Sequence, residues 1–263
     1  MKKRSLILLV LALLNVVLLQ RCKKDCPDLP VNHIPKGQLL KEWRLTSPKM
    51  PTYTYLFYYN KKDAVDSIHV SMGDNYTFSY RVQRKSNGQI NTVIAIENSV
   101  EISNHVYIIA NNYKYNRNGL ITHYDYHAYD HFGNHFLQLI NIVYEGAKMS
   151  IKYNTIVHEF TFDNRSDIVH MKNNTTRPFD GTFDYDNSIN PLFYVKDFYA
   201  ILLDMSPYYY EYMLPKHNAI RRTYEDGYHV DYTNTYDNKG RLVGKDFTDT
   251  RMFGAQSFFY SYY

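Results

Sequence analysis

The 263-residue chain has two cysteines, one tryptophan and, beyond residue 19, no long apolar run. Each shortage excludes something. Cys22 and Cys26 stand close together near the N-terminus, so no disulfide framework can staple the rest. A chain this long needs none, because at such lengths folding buries roughly 70% of the surface that the unfolded form exposes. Without a second apolar span, no further segment is a candidate for a membrane-crossing helix. Charge of one sign is also lacking. The formal charge of +4 comes from Lys2, Lys3, Arg4 and Arg21; subtracting these four from 30 basic residues leaves 26, against 26 acidic ones. A neutral domain carries no electrostatic footprint of a nucleic-acid binder. Catalytic signatures are missing as well: there is no G-x-S-x-G elbow, phosphate loop or dinucleotide glycine fingerprint, and His158-Glu159 lacks the second histidine of a zinc protease helix. We expect no enzyme and no cofactor. The enzymatic alternative is a secreted glycoside hydrolase with two dispersed carboxylates.

The N-terminus carries the clearest signal. Lys2, Lys3 and Arg4 precede a 15-residue apolar run, residues 5–19, which is short for a spanning helix of about 20 residues. Residues 1–21 read as an export signal, and cleavage would leave Cys22 first. Residues 22–37 hold three prolines and little periodicity, which predicts a linker, and residues 38–263 are expected to form a single antiparallel β-domain. The alternatives are an ordinary secretory signal or an uncleaved anchor, with Cys22 and Cys26 free or bridged to each other.

What the domain has in excess is aromatic side chains, 28 Tyr and 14 Phe. In YTYLFYY, Tyr53, Tyr55, Phe57 and Tyr59 share one face of a strand, while Leu56 and Tyr58 take the other. A turn motif then repeats: Tyr59-Asn60-Lys61-Lys62-Asp63-Ala64-Val65, Tyr115-Asn116-Arg117-Asn118-Gly119-Leu120-Ile121, Tyr236-Asp237-Asn238-Lys239-Gly240-Arg241-Leu242 and, more weakly, Phe162-Asp163-Asn164-Arg165-Ser166-Asp167-Ile168. An aromatic ends one strand on the packed face, and Asn or Asp bonds its own backbone. Gly or Asp takes the left-handed position, and an aliphatic restarts the core face. Carboxylates in these repeats are therefore expected to form turns rather than catalyse. The predicted fold is mainly β: an extended, curved antiparallel sheet, a meander of hairpins, with a short helical insertion near 191–213, where Phe193, Phe198, Ile201 and Leu202 allow a helical face.

Two clusters could bind something. Tyr208, Tyr209, Tyr210 and Tyr212 crowd one segment, and outward tyrosines would suit stacking on sugar rings or a partner protein. The other expectation is that such rings pair across strands over a thin core. His123, His127, His131 and His135 are evenly spaced, but residues four apart on a strand lie about 13 Å apart at roughly 3.3 Å per residue, too far to share a metal. No metal is expected, with one reservation. A hairpin closing near Phe132 brings His127 or Tyr129 opposite His135 and leaves a two-histidine site open.

The start Cys22-Lys23-Lys24-Asp25 resembles that of Bacteroidota lipoproteins, although Gln20 and Arg21 stand where such signals carry small residues. The hairpin repeats, Asn190-Pro191 and the stretch LPKHNAI, residues 214–220, are similar to a group of surface lipoproteins of uncharacterised function from the same bacteria, and to tyrosine-aspartate repeats of larger secreted proteins. The resemblance implies lipidation of Cys22, an outer-membrane location through that anchor, and a binding module without catalysis, with glycans as the leading ligand and another envelope protein as the alternative. An outer-membrane barrel would need an apolar band facing lipid, whereas YRVQRKSNGQ and MKNNTTRPFD are polar on both parities.

Overall fold

The structure, a computed structural model, describes residues 37–263 other than 74–75, 100–104, 131, 176–177, 196, 203–209 and 252–253. Sixteen strands follow one another as β1 (Leu40–Ser47), β2 (Met50–Tyr59), β3 (Val65–Met72), β4 (Tyr76–Arg84), β5 (Ile90–Ser99), β6 (His105–Tyr115), β7 (Ile121–Tyr129) and β8 (His135–Glu145). They continue as β9 (Lys148–Tyr153), β10 (Ile156–Phe162), β11 (Ile168–Asn173), β12 (Phe179–Ile189), β13 (His217–Tyr224), β14 (His229–Tyr236), β15 (Leu242–Asp249) and β16 (Gly254–Tyr262). Each pairs antiparallel with its sequence neighbour, and β1 pairs with β16 through Trp43↔Tyr260 and Leu45↔Phe258, so the sheet closes into a barrel. This corrects the open, curved sheet expected from the sequence. Alternation tells a strand which face is packed; it does not say whether the last strand returns to the first, and that return removes both exposed edges.

The two faces differ. Tyr53, Tyr55, Phe57 and Tyr59 of β2 point inward as the alternation predicts, as do Trp43, Ile68, Val93, Ile108, Ile140 and Phe258 from other strands. Outward positions carry Lys41, Arg44, Asp66, Arg81, Gln83, Lys114, Glu145, Lys152, Glu159, Thr182, Asp184, Asp231 and Thr233. The core is thus inside the barrel, and the outer face is mixed, charged and polar positions alternating with exposed apolar side chains such as Leu137, Leu139 and Val143 of β8.

The repeats build one rim. In each, a side-chain oxygen of Asn60, Asn116, Asp163 or Asp237 accepts from backbone N–H groups two and four residues on, at 2.8–3.3 Å. The left-handed position falls on Asp63, Gly119, Ser166 and Gly240. On six of the eight even-numbered strands, a residue of the strand then reaches back across the rim. Tyr59, Tyr115, Tyr144, Tyr185 and Tyr262 donate their hydroxyls to the carbonyls of Leu40, Ile90, Ile121, Ile168 and Leu242, the first residues of the preceding strands, at 2.8–3.3 Å. Arg84 does the same for Val65. Much of the tyrosine surplus therefore closes hairpins, and burial raises the hydroxyl pKa of Tyr59, Tyr115, Tyr185 and Tyr262, keeping them protonated donors.

A barrel of sixteen strands is wide enough to leave an aqueous channel unless something fills it. The described residues between β12 and β13, 190–195, 197–202 and 210–216, lie at the mouth on the tyrosine rim and inside the barrel and supply that filling. The helical insertion expected there is two 3₁₀ turns, Pro191–Tyr194 and Phe198–Ala200, and one short helix, α1 (Tyr210–Met213). Asn190 clamps the neck of this plug: its carbonyl oxygen accepts from Leu192 N–H, and its amide donates to the carbonyls of Tyr212 and Pro215. Asp167, buried in its repeat turn, accepts from the backbone N–H of His217 at 2.8 Å and lies 2.7 Å from its Nδ1.

Candidate functional site

Inside the barrel the plug meets two different environments. Phe198 lies edge-on to Trp43 and Phe57, Tyr113 donates to the Ala200 carbonyl at 3.0 Å, and the hydroxyls of Tyr199 and Tyr144 are 3.4 Å apart. Farther along, α1 enters a charged setting. Glu211 takes two contacts from Arg222 Nη1, at 2.6 and 2.8 Å, and Arg222 Nη2 donates to Asp249, all three groups being buried. Tyr224 and Tyr228 donate to Asp249, and Tyr232 to Glu211. Burial works against the Arg222 charge, but Glu211 and the surrounding hydroxyls outweigh it and hold its pKa above normal. Lys245 also points inward, with Nζ 5.2 Å from the centre of the Tyr232 ring and 5.7 Å from that of Tyr212. Burial pulls its pKa down to about 8, against the pull of Asp186 and Glu211. His158 lies in the wall beside Tyr153 and Tyr210, and burial lowers its pKa to about 4.

The outer wall of β7 and β8 holds the second cluster. His123 Nε2 lies 2.9 Å from Asp125 Oδ1, and its Nδ1 lies 3.0 Å from Asn141 Oδ1. Asn112, at a left-handed position in β6, donates to the other oxygen of Asp125. An open cleft of about 660 Å³ lies over Asn112, Lys114, His123, Asp125 and Leu139. One step along the same face, His127 Nδ1 is 2.8 Å from His135 Nε2, and Tyr129 stacks on His135 with centroids 5.0 Å apart. The hairpin thus brings His127 to His135. His131 and Cys22 lie outside the described residues; among the described residues there is no group of three or more metal-ligating side chains.

Of the tyrosine segment, the two described rings, Tyr210 and Tyr212, turn into the barrel. Tyr208 and Tyr209 lie outside the described residues. Tyr210 is half-buried, edge-on to Phe160 and His158, and Tyr212 is buried against Phe258 and Phe247. These two rings plug the barrel because the segment turns inward at Asn190, which no periodicity within it reveals. The rings that do face out are Tyr58, Tyr76, Phe132, Phe136, Phe259 and Tyr263. Sequence reasoning missed the Glu211–Arg222–Asp249 group altogether. Its only local trace is an arginine and an aspartate on the inward parity of β13 and β15.

No family model matches the chain, and no curated protein matches it. Among solved structures it is similar to a porin-like protein from Bacteroides uniformis, with a TM-score of 0.53 and 13% identity over 86% of this chain and 99% of that one. A second porin-like protein, from Bacteroides vulgatus, aligns at a TM-score of 0.37 and 10% identity over 85% of this chain and 98% of that one. At 13% identity the first likeness is one of fold: a closed β-barrel.

Proposed function

We propose that this chain is a cell-envelope protein, held at the outer membrane by lipid on Cys22, whose barrel faces water, conducts nothing and acts as a binding module without catalysis. The observation that supports it is the distribution of polarity across the wall. A lipid-embedded barrel needs an apolar band about 25 Å tall on its outside and a polar interior. Here Trp43, Phe57, Ile68, Phe160 and Phe258 are inside, packed with the plug, and the outside carries Lys, Arg, Asp, Glu and Thr on most strands, interspersed with exposed Val106, Leu137, Leu139 and Val143. Such a barrel stays at a membrane only by a tether, and more than one acyl chain makes a tether stable. The buried carboxylates Glu211 and Asp249 are both engaged by Arg222, an ion-pair arrangement that favours a structural role for them.

Glycans remain our ligand class, bound through the outward rings Tyr58, Phe259 and Tyr263 in place of Tyr210 and Tyr212. A second reading, contact with another envelope protein, is favoured by exposed Leu137, Leu139 and Val143 on β8 and Val106 on β6. The full chain incorporates labelled palmitate through Cys22 and gives no conductance in planar bilayers; steady channels, or labelling unaffected by Cys22→Ser, would refute the tethered, closed barrel. Binding to a glycan panel that Tyr58→Ala and Phe259→Ala abolish supports the first ligand class, and silence across the panel turns the assignment to the protein partner.

A further inference from the structure

The contact between His127 and His135 has an unusual geometry. The rings lie at 11° to one another with centroids 5.1 Å apart, while the nitrogens are 2.8 Å apart. The nitrogens of an imidazole sit about 1.15 Å from its centroid, so the centroid separation equals the nitrogen contact plus two such radii, which places the rings edge to edge, nearly coplanar, with the two lone-pair directions in line. One proton therefore lies between Nδ1 and Nε2, donated by whichever ring carries it. Both side chains are on the outer wall, and His135 is exposed.

We propose that His127 Nδ1 and His135 Nε2 together bind a late divalent transition-metal ion, with Cu²⁺ preferred, in place of the proton they share. Metal–nitrogen bonds of about 2.0–2.1 Å put two nitrogens about 2.9 Å apart when they subtend a right angle at the ion. The observed 2.8 Å is already that spacing. The rings need only swing outward until both lone pairs aim at one point over the wall; they need not separate, as a linear arrangement would require. Binding leaves Nδ1 of His127 and Nε2 of His135 unprotonated, the shared proton moving to a remote ring nitrogen or to solvent. Water fills the remaining positions, because the ion sits on an open surface. Imidazole nitrogens suit Cu²⁺ and Zn²⁺, and the Irving–Williams order puts Cu²⁺ first. Asp125, two residues before His127 on the same face, is close enough for the two to interact electrostatically and adds negative charge nearby. The pair lies on the opposite side of the wall from the plug and is independent of the ligand assigned above.

The test uses the full chain in detergent, with free cysteine thiols blocked by N-ethylmaleimide, titrated with Cu²⁺ and followed by calorimetry and electron paramagnetic resonance. We expect one saturable site with hyperfine structure from two nitrogens. His127→Gln and His135→Gln weaken it by at least about tenfold, the scale on which even second-sphere changes act, while His123→Gln and His170→Gln leave it in place. In the unaltered chain, Cu²⁺ should broaden the methyl resonances of Leu137, beside the pair, before those of Val230. A site that survives both substitutions, or broadening that begins elsewhere, would overturn the assignment.

Discussion

The two ends of the plug are held by different proportions of apolar and ionic contact. Around Phe198 the ring contacts are apolar, with Trp43 and Phe57 taking it edge-on, and the polar links are hydroxyl bonds from Tyr113 and near Tyr199 and one ion pair, Asp197 with Arg84 at 3.3 Å. Around α1 they are ionic, with Glu211 and Asp249 sharing Arg222 beneath a roof of tyrosines. Apolar packing is non-directional and tolerates a shift along the lumen, whereas a guanidinium fork with two carboxylates fits one register. The comparison teaches that both ends are fixed by charge, a single pair at Asp197 and a three-residue group at Arg222, while most of the apolar filling falls at the Phe198 end.

Breaking each end should therefore give a different outcome. Phe198→Ala leaves a cavity and is expected to cost about 3–5 kcal/mol in urea unfolding. Arg222→Met strands two buried carboxylates and should cost a similar 3–5 kcal/mol, but Arg222→Met combined with Glu211→Leu and Asp249→Leu should recover most of it. No such rescue exists for Phe198. If the triple variant is as unstable as Arg222→Met alone, the ionic end is not a register device. His158, which borders Tyr210 between the two ends, gives a pH test. Its folded pKa, lowered from 6.5 to about 4, means stability is full above 6.5 and lost as pH falls, by about 3 kcal/mol on reaching pH 4. Acid titration of unfolding free energy should show this loss in the native chain, reduced by that amount in His158→Leu. Lys245 has the same sign of shift in the alkaline range. Its folded pKa, lowered from 10.5 to about 8, makes stability rise by about 1 kcal/mol between pH 7 and pH 9 as the folded state releases its proton first. Lys245→Met should lose that rise and be the more stable protein at pH 7. The smallest effects belong to the rim. Tyr115→Phe and Tyr262→Phe each remove one hydroxyl-to-carbonyl bond, for about 1 kcal/mol, measurable as a lowered Tm.

How much of this could be read from the chain follows from how local each feature is. The repeat turns are local: Asn60, Asn116 and Asp237 bond their own following N–H groups, so composition and spacing suffice. The inward face of β2 is local too, because alternation needs only a few residues. Closure is not, since Trp43 meets Tyr260 across almost the whole chain. YRVQRKSNGQ reads as polar on both parities and so as arguing against a barrel, yet its strand alternates, Tyr80 and Val82 inside and Arg81 and Gln83 outside, and the lumen they face is filled by described residues between β12 and β13, whose break in pattern reads as a helix. The same break made Tyr210 and Tyr212 look available for ligands. Glu211, Arg222 and Asp249 come from α1, β13 and β15, and three charges so far apart in sequence leave no motif. The His127–His135 pair sat between these cases: a hairpin with its turn near Phe132 was enough to bring the rings together.

The central claim is that the wall faces water and the barrel is filled by its own chain. Small-angle scattering with size-exclusion chromatography on residues 27–263, without detergent, tests it most directly. A monodisperse monomer with a radius of gyration of about 18 Å, as expected for a compact chain of this length, is the result predicted; aggregation relieved only by detergent would contradict it.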